Sequence, residues 1–179
     1  MKIQRKAEHT VMPWANGRGT SYEIASNRNA EGFWTWRLAM APVNEDGPFS
    51  RVECVNRSLA VVEGAGMNLS VDRKNIRCEP LQVVHFRGEA VTEATLIDGP
   101  ILDINLMVRR KNATGTMQIV DCVDEVLDAS IVVAVSASAV LNCDGDELSL
   151  GQFDALVDCD TSKMLLNSGT VCAVKITRR

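Results

Sequence analysis

Histidine and cysteine supply most metal and redox chemistry, and this chain uses both in ways that leave little room for either. Histidine occurs only twice, as His9 and His85, and no H-x-H pair exists. A non-haem iron centre needs two histidines and a carboxylate converging on open positions. His85 alternates with Val84 and Phe86 in "VVHFRG", the setting of a structural side chain rather than a ligand. No metal site and no cofactor are expected. The six cysteines, Cys54, Cys78, Cys122, Cys143, Cys159 and Cys172, form no C-x-x-C. They read as reduced, mostly buried thiols. No G-x-S-x-G elbow is present, and Gly17 and Gly19 do not make a dinucleotide-binding loop.

What remains is polar chemistry on alternating positions. In "ILDINLMVRR" (101–110), Asp103, Asn105, Met107 and Arg109 share one face, and Ile104, Leu106 and Val108 the other. In "WTWRLAM" (34–40), Trp34, Trp36 and Leu38 fall on one side and Arg37 on the other. Lining a barrel, such arginines grip a carboxylate through two parallel hydrogen bonds. Asp103 would orient an arginine or accept a donor from the ligand. On a solvated face the same row would form surface ion pairs of little energetic weight. The stretch "TVMPWANGRGTSYEIA" (10–25) adds a turn leading into a strand, with Asn16, Thr20 and Glu23. Five of the eight aromatic residues lie between Trp14 and Trp36, so rings and polar groups are concentrated where a small planar acid would need both. A core cluster under a barrel end is the competing reading. Both hold together if Trp36 packs inside and Asn16 stands at the mouth.

The elements that would position these residues are strands. Short Val- and Ile-rich runs, at 58–64, 67–71, 81–86, 94–99, 101–108, 130–135 and 138–143, are separated by Gly, Asp and Asn turns. Helical spacing at Val123, Val126 and Leu127 fits one turn at most. With 179 residues, 46% of them hydrophobic, the chain has material for one domain or two small ones. An internal echo favours two. "AVVEGAGMNLSV" (60–71) aligns with "AVLNCDGDELSL" (139–150), predicting equivalent hairpins in units of 1–110 and 111–179. The net charge of −4 argues against nucleic acid as a partner. No run reaches the roughly 18 apolar residues of a membrane span. The polar first ten residues lack a signal-peptide core, so a cytoplasmic location is expected.

Four stretches, "MPWANGRGTSYEIA" (12–25), "FWTWRLAMAPVNEDGPFS" (33–50), "NRSLAVVEGAGMNL" (56–69) and "LIDGPILDINLMVRR" (96–110), together resemble the HutD/Ves family of bacterial proteins. The resemblance implies an all-β bicupin, two cupin-like β-barrels in one chain with the second more degenerate. It also implies a regulator linked to histidine utilisation rather than an enzyme. Its partner would be a small anionic metabolite of the urocanate or N-formylglutamate class, or in the Ves branch a stress-related signal. The family's usual basic residue before the glutamate is Tyr22 here. The expected ligand site comprises Asn16, Thr20, Glu23, Trp36, Arg37, Asp103, Asn105 and Arg109. The alternatives are a metal-independent isomerase or hydrolase acting through Glu23 or Asp103, and an interaction module with a filled barrel. A homodimer paired through strand edges is compatible with all three.

Overall fold

Strands end where Gly, Asp or Asn lets the chain reverse. The computed structural model, which describes all residues except 15, 16, 18 and 160–162, consists of strands apart from a short 3-10 turn at Lys6–Glu8. In chain order the strands begin with β1 (Lys2–Gln4), β2 (Thr10–Pro13), β3 (Thr20–Arg28), β4 (Trp34–Val43), β5 (Gly47–Pro48) and β6 (Val55–Glu63). Then come β7 (Met67–Val71), β8 (Lys74–Cys78), β9 (Val83–Arg87), β10 (Thr92–Leu96) and β11 (Ile101–Arg109). The rest are β12 (Ala113–Val120), β13 (Glu125–Leu127), β14 (Ile131–Ala134), β15 (Ser138–Cys143), β16 (Asp146–Gly151), β17 (Ala155–Val157), β18 (Met164–Ser168) and β19 (Val171–Arg178). The weak helical spacing near Val126 is thus strand β13, paired with β18. Among the described residues no helix is long and apolar enough to cross a membrane.

The chain divides into two compact units, one of residues 10–114 with 178–179, the other of residues 1–9 with 115–177. In the first, a six-stranded sheet of order β2-β3-β4-β11-β6-β9 accompanies a four-stranded sheet of order β5-β10-β7-β8. In the second, the orders are β1-β17-β14-β19-β12 and β13-β18-β15-β16. Replacing β4, β11, β6 and β9 by β12, β19, β14 and β17 maps one larger sheet onto the other. The smaller sheets map in the same way. Each unit therefore repeats one eight-strand topology, with β2 and β3 added to the first and β1 to the second.

This mapping corrects the internal echo read from the sequence. Residues 139–150 form a true hairpin, β15 paired with β16. Residues 60–71 do not, because β6 and β7 belong to different sheets. The topological counterpart of β15–β16 is β7–β8, one strand further on. Both are closed by two-residue turns with positive φ at each position, Asp72 (47°) and Arg73 (67°) against Asp144 (55°) and Gly145 (103°). That geometry matches the twist of paired strands.

The cores of the two units differ in chemistry. The second buries an apolar cluster that includes Leu127, Val132, Leu141, Leu150, Met164, Leu166 and Val171. In the first, Val43, Leu59, Val61 and Ile101 of the larger sheet meet Met67, Leu69, Cys78 and Ala94 of the smaller. Along β11 this apolar character fades. Ile101 pairs with Val43, Asp103 with Ala41 and Val61, Asn105 with Ala39 and Leu59, and Met107 with Arg37 and Arg57. One inner face thus runs from hydrocarbon to charge over nine residues.

Candidate functional site

At the charged end of that face the first unit encloses a cavity of about 750 Å³. Strand β11 contributes Asp103, Asn105, Met107 and Arg109, and β4 contributes Trp34, Arg37, Ala39 and Ala41. Arg57 of β6, Ser21 of β3 and Trp14 complete the walls, while the segment 44–52, with Phe49, covers one side. The period-two row of β11 is therefore the cavity lining. The opposite row of Ile104, Leu106 and Val108 is buried as well.

Two bulges decide which β3 and β4 side chains face inward. Between Glu23 and Ala25 the register of β3 slips against β4, which puts both Glu23 and Ser26 on the face of Arg37. A second shift, between Asn27 and Arg28, pairs Arg28 with Trp34 while Asn27 pairs with Trp36. The simple alternation read from "WTWRLAM" fails at this point. Trp34 joins Arg37 at the cavity, whereas Trp36 stays on the face of Leu38 and does not line it. Thr20 pairs with Pro13 and alternates onto the face of the exposed Tyr22, and it does not line the cavity either. Tyr22 thus points away from Glu23. Asn16 lies outside the described residues.

Glu23 acts one step behind the cavity. Its carboxylate accepts from Ser26 Oγ at 2.8 Å and Arg28 Nε at 3.2 Å, and pairs with Arg37 Nε at 3.0 Å. Burial raises its pKa, but hydrogen bonds from Arg28 and Ser26 outweigh this and hold it below the ordinary carboxylate value. Arg37 also donates to Ser21 Oγ at 2.8 Å. Arg109 donates to the Trp34 carbonyl at 2.9 Å and lies over the Phe33 and Trp34 rings at 4.5 and 4.6 Å.

Arg57 is the residue that the sequence reading missed. It is 7% exposed, and its guanidinium lies 5.1 Å from the centroids of both Phe49 and Phe86. Its Nε donates to Asn105 Oδ1 at 3.4 Å and its Nη1 to the Ser50 carbonyl at 3.3 Å. A guanidinium has five N–H donors, so capacity remains for an acceptor in the cavity. Burial pulls its pKa down to about 10, with the charge of Asp103 acting in the opposite sense. The signal was present in "VNRSLAVVE", where Arg57 shares a period-two row with Leu59 and Val61. An arginine on a core-facing row needs a reason to be there. Asp103, 1% exposed, is pushed up to about 7 by burial, the charge of Arg57 opposing the shift.

Gly19 and Gly17 build the opening turn. The Trp14 N–H donates to the Gly19 carbonyl at 2.9 Å, and Gly17 has a φ of 69°. A Cβ at Gly19 would stand 2.8 Å from the Trp14 ring, so the glycine lets that ring lie against the backbone. His85 is exposed and bonded to Ser58 Oγ at 2.9 Å, on the far side of β9 from Phe86. Among the described residues no three His, Cys, Asp or Glu side chains gather as a metal would require.

The family model described as HutD matches residues 6–174. The chain belongs to the HutD family. A curated relative, an uncharacterized 21.2 kDa protein in the hutC 3' region of Pseudomonas putida, is 31% identical over 163 residues, covering 87% of this chain and 85% of that one. HutD from Pseudomonas fluorescens SBW25, solved in a formate condition, superposes with a TM-score of 0.84 at 30% identity, covering 99% of this chain and 98% of that one. A cupin 2 conserved barrel domain protein from Leptotrichia buccalis matches at a TM-score of 0.61 and 10% identity, over 99% of this chain and 96% of that one, and shares the fold alone. The chain is an all-β protein of cupin-like architecture in a family linked to the histidine-utilisation locus.

Proposed function

We propose that this protein is a small-molecule-binding regulator of histidine utilisation whose first unit holds a carboxylate of the urocanate or N-formylglutamate class. The observation that carries the reading is Arg57, a buried guanidinium with donors to spare at a cavity wall. Burying a cation is expensive, and its neighbours neutralise it only in part. A carboxylate in the cavity would complete its hydrogen bonds, with Arg37 and Arg109 as further donors and Trp14 and Trp34 as walls. The P. fluorescens structure belongs to a formate condition, and formate is the simplest carboxylate. We read the two units as a bicupin. The second, filled by apolar side chains, would serve as scaffold or contact surface.

A thermal-shift series with urocanate, N-formylglutamate, formiminoglutamate and histidine tests this. A ligand at 100 times its Kd stabilises by about 2.7 kcal/mol. At least one of the acids should do so with the wild type and none with Arg57→Met. Stabilisation that survives the substitution unchanged refutes the site. One observation favours a second reading, a metal-independent acid–base enzyme: Asp103, at about 7, is poised to exchange a proton near neutral pH. Turnover of one of these acids, followed by NMR, would select it.

A further inference from the structure

The anion site leaves one buried oxygen without a partner. Asp103 faces the cavity at 1% exposure, and its Oδ1 has no hydrogen-bond partner among the described residues. Its cross-strand neighbours are Ala41 and Val61, and the apolar pair Ile101 and Val43 lies one step further in. Packing at that position calls for hydrocarbon. A carboxylate oxygen there without a donor is destabilising, and one that persists at a cavity wall points to a partner from beyond the described residues.

We propose that Asp103 is a specificity-determining residue that accepts a hydrogen bond from an N–H group of the ligand. The cavity would then select carboxylates that also carry an amide or azole N–H over acids of the same shape that lack one. This inference rests on the carboxylate-binding reading of the same cavity. The geometry gives the ligand two ends. Arg57 and Arg37 both stand opposite Met107 in register, and Arg57 reaches back to Asn105, so the cationic end begins near Asn105 and runs outward. Asp103 lies two residues deeper on the same face, roughly 7 Å along the strand. A ligand spanning this distance places its carboxylate on the arginines and its N–H several bonds away, against Asp103.

The groups around Asp103 suit an acceptor. Arg57 faces it from β6, and Arg37, itself paired with Glu23 of β3, lies further out on β4. Cys78 approaches from β8, where burial pushes its thiol up to about 11 and keeps it neutral. Burial holds Asp103 near 7. At pH 8 it is therefore an ionised acceptor in an apolar setting, and a donor from the ligand would gain most there. A site built to bond an N–H rejects the analogue without it more strongly than a hydrophobic site rejects a missing methylene.

Isothermal titration of the full chain at pH 8 with two matched pairs of acids tests this. Urocanate is compared with 3-(2-furyl)acrylate, whose ring has no N–H. N-formylglutamate is compared with the O-formyl ester of 2-hydroxyglutarate, in which oxygen replaces the N–H. The wild type should prefer the N–H member of at least one pair by tenfold or more. Asp103→Leu should bind both members alike without losing the N–H-free acid. Asp103→Asn, which keeps the shape but is a neutral and weaker acceptor, should shrink the preference and serves if the leucine variant does not fold. Equal binding of both members of each pair to the wild type overturns the inference, as does a preference that survives both substitutions. In either case the carboxylate reading stands if Arg57→Met still abolishes binding. Failure of all four acids to bind the wild type overturns both.

Discussion

Replacing Asp103 by asparagine should change how stability depends on pH, and the size of the change follows from where the side chain sits. Burial raises its pKa from 3.8 to about 7. A carboxyl whose folded pKa exceeds its unfolded value contributes fully below the unfolded pKa. That contribution is lost as pH rises through the folded one. Between pH 5 and pH 8 the wild type should therefore lose roughly 2–3 kcal/mol that the asparagine variant keeps. Other groups do not blur the comparison. Glu23 and Asp154 are held below their ordinary values, so their contribution is present across this window and is lost only in acid. Burial lowers the pKa of His9, which disfavours the folded state as pH falls below 6.5, but equally in both proteins. Urea denaturation of both proteins at pH 5 and pH 8 gives the difference directly. A gap that stays constant within about 0.5 kcal/mol would refute the claim that Asp103 is desolvated at the base of the cavity.

Three further outcomes follow from other parts of the molecule. Gly19→Ala sets a methyl group 2.8 Å from the Trp14 ring, so it should lower stability by roughly 1–3 kcal/mol and weaken ligand binding; unchanged melting and affinity would separate Trp14 from the wall. Arg73→Gly relieves a residue held at a φ of 67° in a turn whose counterpart carries Gly145, and should stabilise by roughly 0.5–1 kcal/mol in chemical denaturation; a destabilised variant would contradict the turn assignment. Cys54 and Cys122 are exposed, whereas burial pushes Cys78 to about 11 and Cys172 to about 12. A thiol reagent at pH 8 should therefore modify Cys54 first, then Cys122, whose thiolate the Asp121 carboxylate disfavours, and the buried thiols only after unfolding; fast reaction at Cys172 would contradict its burial.

The strands were legible because each side chain row obeys a period of two. "MNLSV" and "SAVLNC" coincide with β7 and β15, and the polar row of "ILDINLMVRR" lines the cavity. What failed was whatever breaks that period. Trp34 and Trp36 looked equivalent until a bulge between them turned one inward, and a bulge leaves no mark in the residue types. The echo of residues 60–71 in 139–150 paired a corner between sheets with a hairpin, because both read as strand, glycine, strand. Arg57 was overlooked for a different reason. Its neighbours Leu59 and Val61 mark the row as core-facing, but the residue types do not say which groups would neutralise a charge there. Glu23 was recognised, but its role of holding Arg37 from behind depends on the register slip at residue 24.

The most direct test of the account is a crystal structure of this protein grown with saturating urocanate or N-formylglutamate. The ligand's carboxylate should lie within hydrogen-bonding distance of the Arg57 guanidinium, inside the cavity formed by residues of β4, β6 and β11. A carboxylate bound elsewhere on the chain, or a cavity in which Arg57 faces only protein groups and water at saturation, would contradict it.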